Sequence, residues 1–468
     1  MLQYTPERGK SKPERTERLA FPGALLYNVS DCETDAGGRI RMMKKIKALL
    51  MKSGMLRMLL SMKGNARACL WPEPLWGIPY NLYLPYASLF MAALGLSPAE
   101  IGYVASINIV SQVVFSTISG VLTDKFGRRW TTFIFDTLAW SVPEFIWMAS
   151  QNFTWFTAAA VFNGAWRVTE NSWSLLLIDD MDEEDIMPAF SLTQMLGLLS
   201  AFFAPLSKLA IDAFGLVPTM RALYFITGVS MTIKFILVQV MSTETRAGRR
   251  RMEATRGKSI FRLIYECKDV YLRTVMDRRM LLTFGIYAAY SLVTTLVNTY
   301  WALLVCQELG VAEGDVVFFT TLRSVVTLLC VLLLVPRISH MPIKKPMLWG
   351  LFMHMASMAM LMLAPCGAAG VCLLFVSTVL EAVALSILAP ITSSLIFINA
   401  EEEERARVCG LIYGTIALMT AVFPGVIGLL AERSLRLPFA VCMVFFGFAA
   451  VLTVRLSRIG KANEKARA

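Results

Sequence analysis

Apolar residues in this chain gather in long runs of about twenty, the length a helix needs to cross a hydrocarbon core of roughly 30 Å. Twelve such runs can be marked, at 73–94, 101–123, 130–149, 154–177, 188–211, 217–240, 281–305, 315–336, 346–364, 370–396, 406–430 and 437–456. None alternates with a period of two, which removes a transmembrane β-barrel. The pattern predicts an all-α membrane protein with twelve transmembrane helices. Polar stretches frame and divide them. Residues 1–38, rich in Pro, Gly and charge, read as a disordered tail with no cleavable signal peptide. Residues 39–66 mix Met, Leu and Ile with Lys and Arg at helical spacing, either a basic amphipathic helix on the inner leaflet or further disorder. Residues 241–280 form a basic linker that turns amphipathic at SIFRLIYECKDVYLRTV, and 459–468 form a short polar tail.

The linker leaves six spans in 67–240 and six in 281–458, and the two sets echo one another. LGLSPAEI begins at Leu94, and LGVAEGDV begins 215 positions later at Leu309. FAP at 203–205 in span 5 has a counterpart in FPG at 423–425 in span 11. Two pseudo-symmetric six-helix halves are therefore expected, an arrangement that in transporters places the site between the halves near the middle of the membrane.

Composition agrees with the membrane reading. Hydrophobic residues make up 56% and charged residues 17%, against roughly 25% charged in a soluble domain, and the mean hydropathy is +0.57. A net charge of +11 raises the question of nucleic acid, so the placement of the cations decides. Of 45 Lys and Arg, 14 lie in residues 1–70, 3 in the loop after span 2, 11 in 241–280, 3 after span 8, 2 after span 10 and 5 from Arg455 onward. Twelve crossings put all of these on one side. The positive-inside rule then places both termini in the cytoplasm, with the chain in the cytoplasmic membrane and its basic loops against anionic lipid rather than nucleic acid. The nine cysteines stand singly with no CxxC pair, as small core residues rather than a disulfide or metal framework.

Between spans 2 and 3 stands GVLTDKFGRRWTT, residues 120–132. Gly120, Asp124, Lys125, Gly127, Arg128 and Arg129 closely resemble the cytoplasmic loop motif of the major facilitator superfamily: Gly, three residues, Asp, a basic residue, one residue, Gly and two basic residues. The resemblance covers about residues 70–460. It implies that the loop latches the cytoplasmic side, with Asp124 stabilising an outward-facing state against span 11. Read from charge alone, the three cations only fix topology. Gly120 would permit close approach of a neighbouring helix, and Asp124 would meet a helix N-terminus or a basic side chain. The chain also departs from the family's pattern. The corresponding second-half loop, VPRISHMPIKKP, keeps Lys344 and Lys345 but lacks the acid and the glycine; DDMDEED after span 4 lacks a basic residue, while EEEERAR after span 10 keeps Arg405 and Arg407. Arg167 resembles the arginine of proton-coupled members, but Glu170 and Asn171 stand where glutamine and glycine are usual, and span 5 lacks the glycine-rich antiporter signature. The direction of transport stays open.

Charges at membrane depth cost roughly 2.5–3.5 kcal/mol each on insertion scales, so they face a cavity or a partner. In span 4, Asn163, Arg167, Glu170 and Ser174 fall on one helical face bordered by Trp166 and Trp173. This face, with Asn171, is a candidate cavity lining, or else Arg167 and Glu170 are a structural ion pair. Span 8 repeats the pattern with Thr320, Arg323 and Thr327; span 10 places Glu381 near its centre; span 3 adds Asp136 and Glu144, and span 1 adds Asn81. Lys208 with Asp212, and Lys234 snorkelling at the end of span 6, read as structural. His354 reads as a packing residue on a peripheral helix. Burial favours the neutral form of a carboxyl group and an adjacent guanidinium favours the charged form, so separating Arg167 from Glu170 would load a proton. No nucleotide loop, nucleophile or metal cluster accompanies these residues, so neither an enzyme nor a cofactor is expected. The reading is a secondary active transporter of a small organic solute by alternating access, coupled to protons. An uncoupled facilitator and a transporter-like sensor are the alternatives.

Overall fold

A computed structural model of the chain describes residues 62–260, 262, 278–334, 341, 343–398 and 414–467. The expected tail 1–38, most of the 39–66 helix, most of the amphipathic half of the linker and the loop at 401–407 lie outside them.

Among the described residues, all the regular elements are helical. The first segment of chain comprises α1 (Gly64–Leu70), α2 (Pro74–Tyr83), α3 (Ala87–Ala93), α4 (Pro98–Phe126), α5 (Arg128–Asp136), α6 (Val142–Ala149), α7 (Phe153–Asn163), α8 (Trp166–Ile178), α9 (Glu183–Ser200), α10 (Leu206–Phe214) and α11 (Leu216–Met241). The linker contributes α12 (Arg246–Ala254). The second segment comprises α13 (Arg278–Leu303), α14 (Val316–Leu333), α15 (Lys344–Leu363), α16 (Ala368–Ile398), α17 (Phe423–Ala431) and α18 (Leu437–Arg467). Among the described residues, nine helices are long and apolar enough to cross a membrane. The other three expected intervals, 73–94, 130–149 and 154–177, are helical but interrupted. A 3₁₀ turn at Leu84–Tyr86 holds Pro85 between α2 and α3, a π turn at Thr137–Ser141 separates α5 from α6, and Gly164 and Ala165 separate α7 from α8.

Local chemistry sets these boundaries. Ser97 caps α4: its Oγ accepts from Glu100 N while its own N–H donates to the Glu100 carboxylate, with Pro98 at the first helical position. The helix stops at Gly127, whose φ of +82° favours glycine and where a Cβ would collide with the Glu244 carboxylate. Pro143, just past the π turn, has no N–H for the carbonyl of Ala139 four residues earlier. Asn163 Nδ2 donates to that carbonyl instead, at 2.9 Å.

Two helix ends are closed in the same way by arginines. Arg221 donates to the carbonyls of Met148 and Ser150 at 2.7 and 2.9 Å, closing the end of α6. Arg436, 215 positions on, does the same to Met362 and Ala364 at 2.7 and 2.9 Å, closing the end of α15. The two segments meet in a shared apolar core that includes Tyr86, Phe90, Tyr300 and Phe446. Large apolar side chains such as Leu209, Phe352 and Val444 point outward, as a surface in contact with lipid tails requires.

Candidate functional site

A cavity of about 720 Å³ lies among the helices, lined almost wholly by the first segment. One wall is aromatic. Trp76 and Tyr80 stack with centroids 4.7 Å apart, Trp140 stands edge-on to both, and Tyr83, Tyr224 and Trp147 continue the cluster. Trp166 and Trp173 also line the cavity. The rings project inward because α2 presents Trp76, Tyr80 and Tyr83 at helical spacing, while the π turn carries Trp140.

The polar residues of the span 4 face are held together across three helices. Gln112 Nε2 donates to Asn108 Oδ1 at 2.6 Å, and Asn108 Nδ2 donates to Asn163 Oδ1 and to the carbonyl of Ala160 at 3.0 Å each. Arg167 Nε donates to Gln112 Oε1 at 3.0 Å, and Arg167 Nη1 meets Glu170 Oε2 at 2.6 Å. The Arg167 guanidinium also lies 4.1 Å from the Trp166 ring centroid. The Arg167 side chain is 16% exposed and that of Glu170 43%, so the guanidinium is anchored between helices while the carboxylate reaches the cavity. Asn163 and Glu170 line the cavity. Asn171 does not belong with them: its Nδ2 faces Gly120, 3.9 Å from where a Cβ there would stand. Among the described residues, that amide is the only group within 4 Å of such a Cβ on Gly120.

Three charged residues that the sequence reading did not join form a second cluster in the same cavity. Lys234 on α11 does not snorkel; it is buried, with Nζ 2.9 Å from Glu73 Oε2 and within 6 Å of the Trp76 and Trp173 centroids. Asp136, at the end of α5, is buried and lines the cavity with them. Glu73 sits at the head of span 1, just before α2. Helical spacing to Trp76 and Tyr80 was the signal that could have placed it.

Both segments line a smaller cavity of about 100 Å³, with Asn81, Asn298, Trp301, Thr320 and Arg323 among its residues. Leu84 and Asn298 border both cavities. Arg323 Nη1 lies 2.9 Å from Glu381 Oε1, and Glu381 is buried behind the lining rather than exposed in it. Asn81 Nδ2 donates to the carbonyl of Gly77 at 2.7 Å, within its own helix. His354 is buried against Phe446, with ring centroids 4.8 Å apart.

The 120–132 loop is tied to its surroundings by carboxylates. Arg128, buried, bridges Asp124 and Asp179 at 3.1 Å each. The Glu244 carboxylate accepts from the backbone N–H groups of Arg128 and Arg129, the Arg129 guanidinium donates to the carbonyl of Gln239, and Lys125 Nζ donates to that of Lys258. The acidic stretch after span 4 thus supplies Asp179, a partner for the loop, where the family pattern led us to look for a basic residue. The inner end of span 11, expected to face Asp124, lies outside the described residues.

At the opposite end of the bundle the two segments are joined. Tyr300 Oη donates to the carbonyls of Pro98 and Pro424 at 3.3 and 3.1 Å, and Gly425 N donates to Ser106 Oγ at 2.9 Å. Lys208 Nζ meets Asp212 on its own helix at 2.9 Å and Asp315 of the second segment at 2.7 Å. Gly102 and Gly428 permit the crossing of α4 and α17: a Cβ on Gly428 would stand 2.9 Å from Ala99 Cα, and one on Gly102 would collide with the Tyr300 hydroxyl and the Pro424 carbonyl.

Solved structures share this architecture. The nucleoside transporter NupG aligns with a TM-score of 0.62 at 15% identity, covering 85% of this chain and 99% of that one. A POT family transporter in complex with a thioalcohol-conjugated peptide aligns with a TM-score of 0.63 at 12% identity, covering 86% and 99%. The human organic anion transporter TETRAN aligns with a TM-score of 0.58 at 14% identity, covering 83% and 98%. These likenesses establish the fold alone. No curated protein matches the sequence. The family profile of the Major Facilitator Superfamily matches residues 77–305 and 280–468, and on that match this chain belongs to the Major Facilitator Superfamily.

Proposed function

We propose that the protein is a secondary active transporter that carries a small organic solute through the aromatic cavity by alternating access, coupled to protons. Its twelve spans form two six-helix halves in the cytoplasmic membrane, with both termini in the cytoplasm. The observation that carries the reading is a solute-sized cavity that is aromatic and charged, beside a bundle end closed by contacts between the two segments. Under the positive-inside assignment the closed end is external, and this is an inward-facing state. Transport is then the exchange of those contacts for a closure at the basic-loop end, to which Asp124 and Arg128 would contribute.

Glu170 is the proposed proton carrier. Its carboxylate reaches the cavity and can rotate away from Arg167, which Gln112 holds in place. A carboxyl group parted from the guanidinium favours the protonated form, and one against it favours the charged form. Flux of a carried solute in proteoliposomes, with and without an imposed pH gradient, tests the assignment. Glu170→Gln should lose accumulation driven by the gradient while retaining solute exchange. Accumulation with wild-type pH dependence would remove Glu170 from the role and pass it to Glu381. Gradient-independent flux in the wild type would make the protein an uncoupled facilitator.

A further inference from the structure

The cavity's amide side chains are largely engaged with one another and with Arg167. The amides of Asn108, Gln112 and Asn163 form a closed chain that takes in the Ala139 and Ala160 carbonyls and Arg167. Ser174 Oγ and Thr169 Oγ1 donate to carbonyls of their own helix. A polyhydroxylated solute is recognised through many donors and acceptors, and these amides and hydroxyls offer it few beyond the indole N–H and phenol O–H groups at the rims of the rings. Its offer is of another kind, the faces and edges of Trp76, Tyr80 and Trp140 beside a group of charges.

Those charges do not cancel. Glu170 is balanced by Arg167, and Glu73 by Lys234. Asp136, buried in the same lining, has no ion-pair partner within 4 Å among the described residues and shares the field of Lys234 with Glu73. One carboxyl group is left over in a desolvated, ring-lined space, and a cation seated beside it would favour its charged form. Aromatic faces attract cations through their quadrupole and repel anions, and a low-dielectric cleft focuses the residual negative field. We propose that the cavity takes a monovalent organic cation with a flat aromatic or bulky apolar body, its charge seated between Asp136 and the Trp76, Tyr80 and Trp140 rings. This rests on the reading of the cavity as the transport site and adds the class of solute.

The test uses the full chain in lipid nanodiscs, with empty nanodiscs as the partition control, and four probes. Tetraphenylphosphonium and tetraphenylborate share a shape and differ in the sign of charge, uridine is neutral and polyhydroxylated, and tryptophan is an aromatic zwitterion. Saturable binding of the phosphonium alone is the expected result. Asp136→Asn and Trp140→Leu should each weaken it at least tenfold, whereas Asp136→Glu retains it. Should Asp136→Asn fail to fold, Trp140→Leu and the contrast between the two tetraphenyl ions still decide. Saturable binding of the borate, of uridine or of tryptophan at comparable or higher affinity, or unchanged phosphonium binding in Asp136→Asn, would overturn the proposal. Flux separates this failure from failure of the transport reading. Phosphonium that binds with the expected dependence but is not carried into proteoliposomes leaves the cation site and removes transport. Carriage of the borate or of uridine without phosphonium binding leaves transport and removes the cation site.

Discussion

Replacing Tyr300 by Phe removes one hydroxyl from the closed end of the bundle and almost no volume. That hydroxyl, on α13, is buried and donates to the carbonyls of Pro98 on α4 and Pro424 on α17; the Pro98 bond joins the two segments and exists only while they meet there, whereas the Pro424 bond lies within the second segment. Both carbonyls sit near helix starts, where helical N–H groups one turn on can still serve them, so little orphan-acceptor penalty is added. The loss is then the net value of a buried hydrogen bond, about 0.5–1.5 kcal/mol, and at 1.4 kcal/mol per tenfold the ratio of closed to open molecules at this end falls about 2- to 12-fold. Spin labels at exposed Gln151 and Glu432, one on each segment, report that ratio as a distance distribution in a background without reactive cysteines. Ser230→Ala is the control. It deletes a 2.7 Å bond from Ser230 Oγ to the carbonyl of Leu75, equally strong but wholly inside the first segment, and should lower thermal stability without moving the distribution. If Tyr300→Phe leaves the distances unchanged, or if Ser230→Ala moves them as much, the contact does not bias a conformational equilibrium.

Gly102→Ala should open the same end further, because its Cβ would collide with the Tyr300 hydroxyl and the Pro424 carbonyl, an overpacking of about 1–3 kcal/mol; the same label pair measures it. Arg128→Ala leaves Asp124 and Asp179 around a buried site without their cation and should lower stability by about 3–5 kcal/mol, read as a fall in melting temperature that Arg128→Lys partly reverses. Asn163→Leu deprives the Ala139 carbonyl of its donor, at about 1–3 kcal/mol of stability, again read by melting. A cysteine at exposed Arg250 should react with an impermeant maleimide in inverted vesicles and not in intact cells, and the reverse pattern would overturn the topology.

The helical intervals were legible because a twenty-residue apolar run has few other uses. Their interruptions were not. The break at 164 and 165 depends on a local turn that hydropathy does not record, and the π turn before Pro143 is tolerated because Asn163, from another helix, takes the carbonyl that the proline leaves without a donor. That partnership also shows why a polar stripe is ambiguous. Periodicity placed Asn163, Arg167 and Glu170 on one face, but only packing divides the face into atoms that hold helices together and atoms that meet solute. Lys234 was misread for a related reason: close to the end of a span, a lysine can reach the interface or turn inward, and the choice depends on whether Glu73 and Trp76 stand opposite.

The placement of each ion pair also limits what it can do during transport. Lys234–Glu73 and Arg323–Glu381 each join two helices of a single segment, so they survive if the segments move as rigid bodies. Lys208–Asp315 and the Tyr300–Pro98 contact cross between segments and would break if the segments part at that end. Arg167 and Glu170 share one helix, and Gln112, which fixes Arg167, lies in the same segment. Rigid-body movement therefore leaves this pair intact, and the proton loading proposed for Glu170 would have to come from rotation of its side chain or from what enters the cavity. Coupling through Glu170 accordingly requires its titration to respond to bound solute more than to which end is open. A Glu170 carboxyl vibration that shifts on adding solute, with the Gln151–Glu432 distance unchanged, is the expected sign. One that follows the distance alone would place the coupling on a contact between the segments instead.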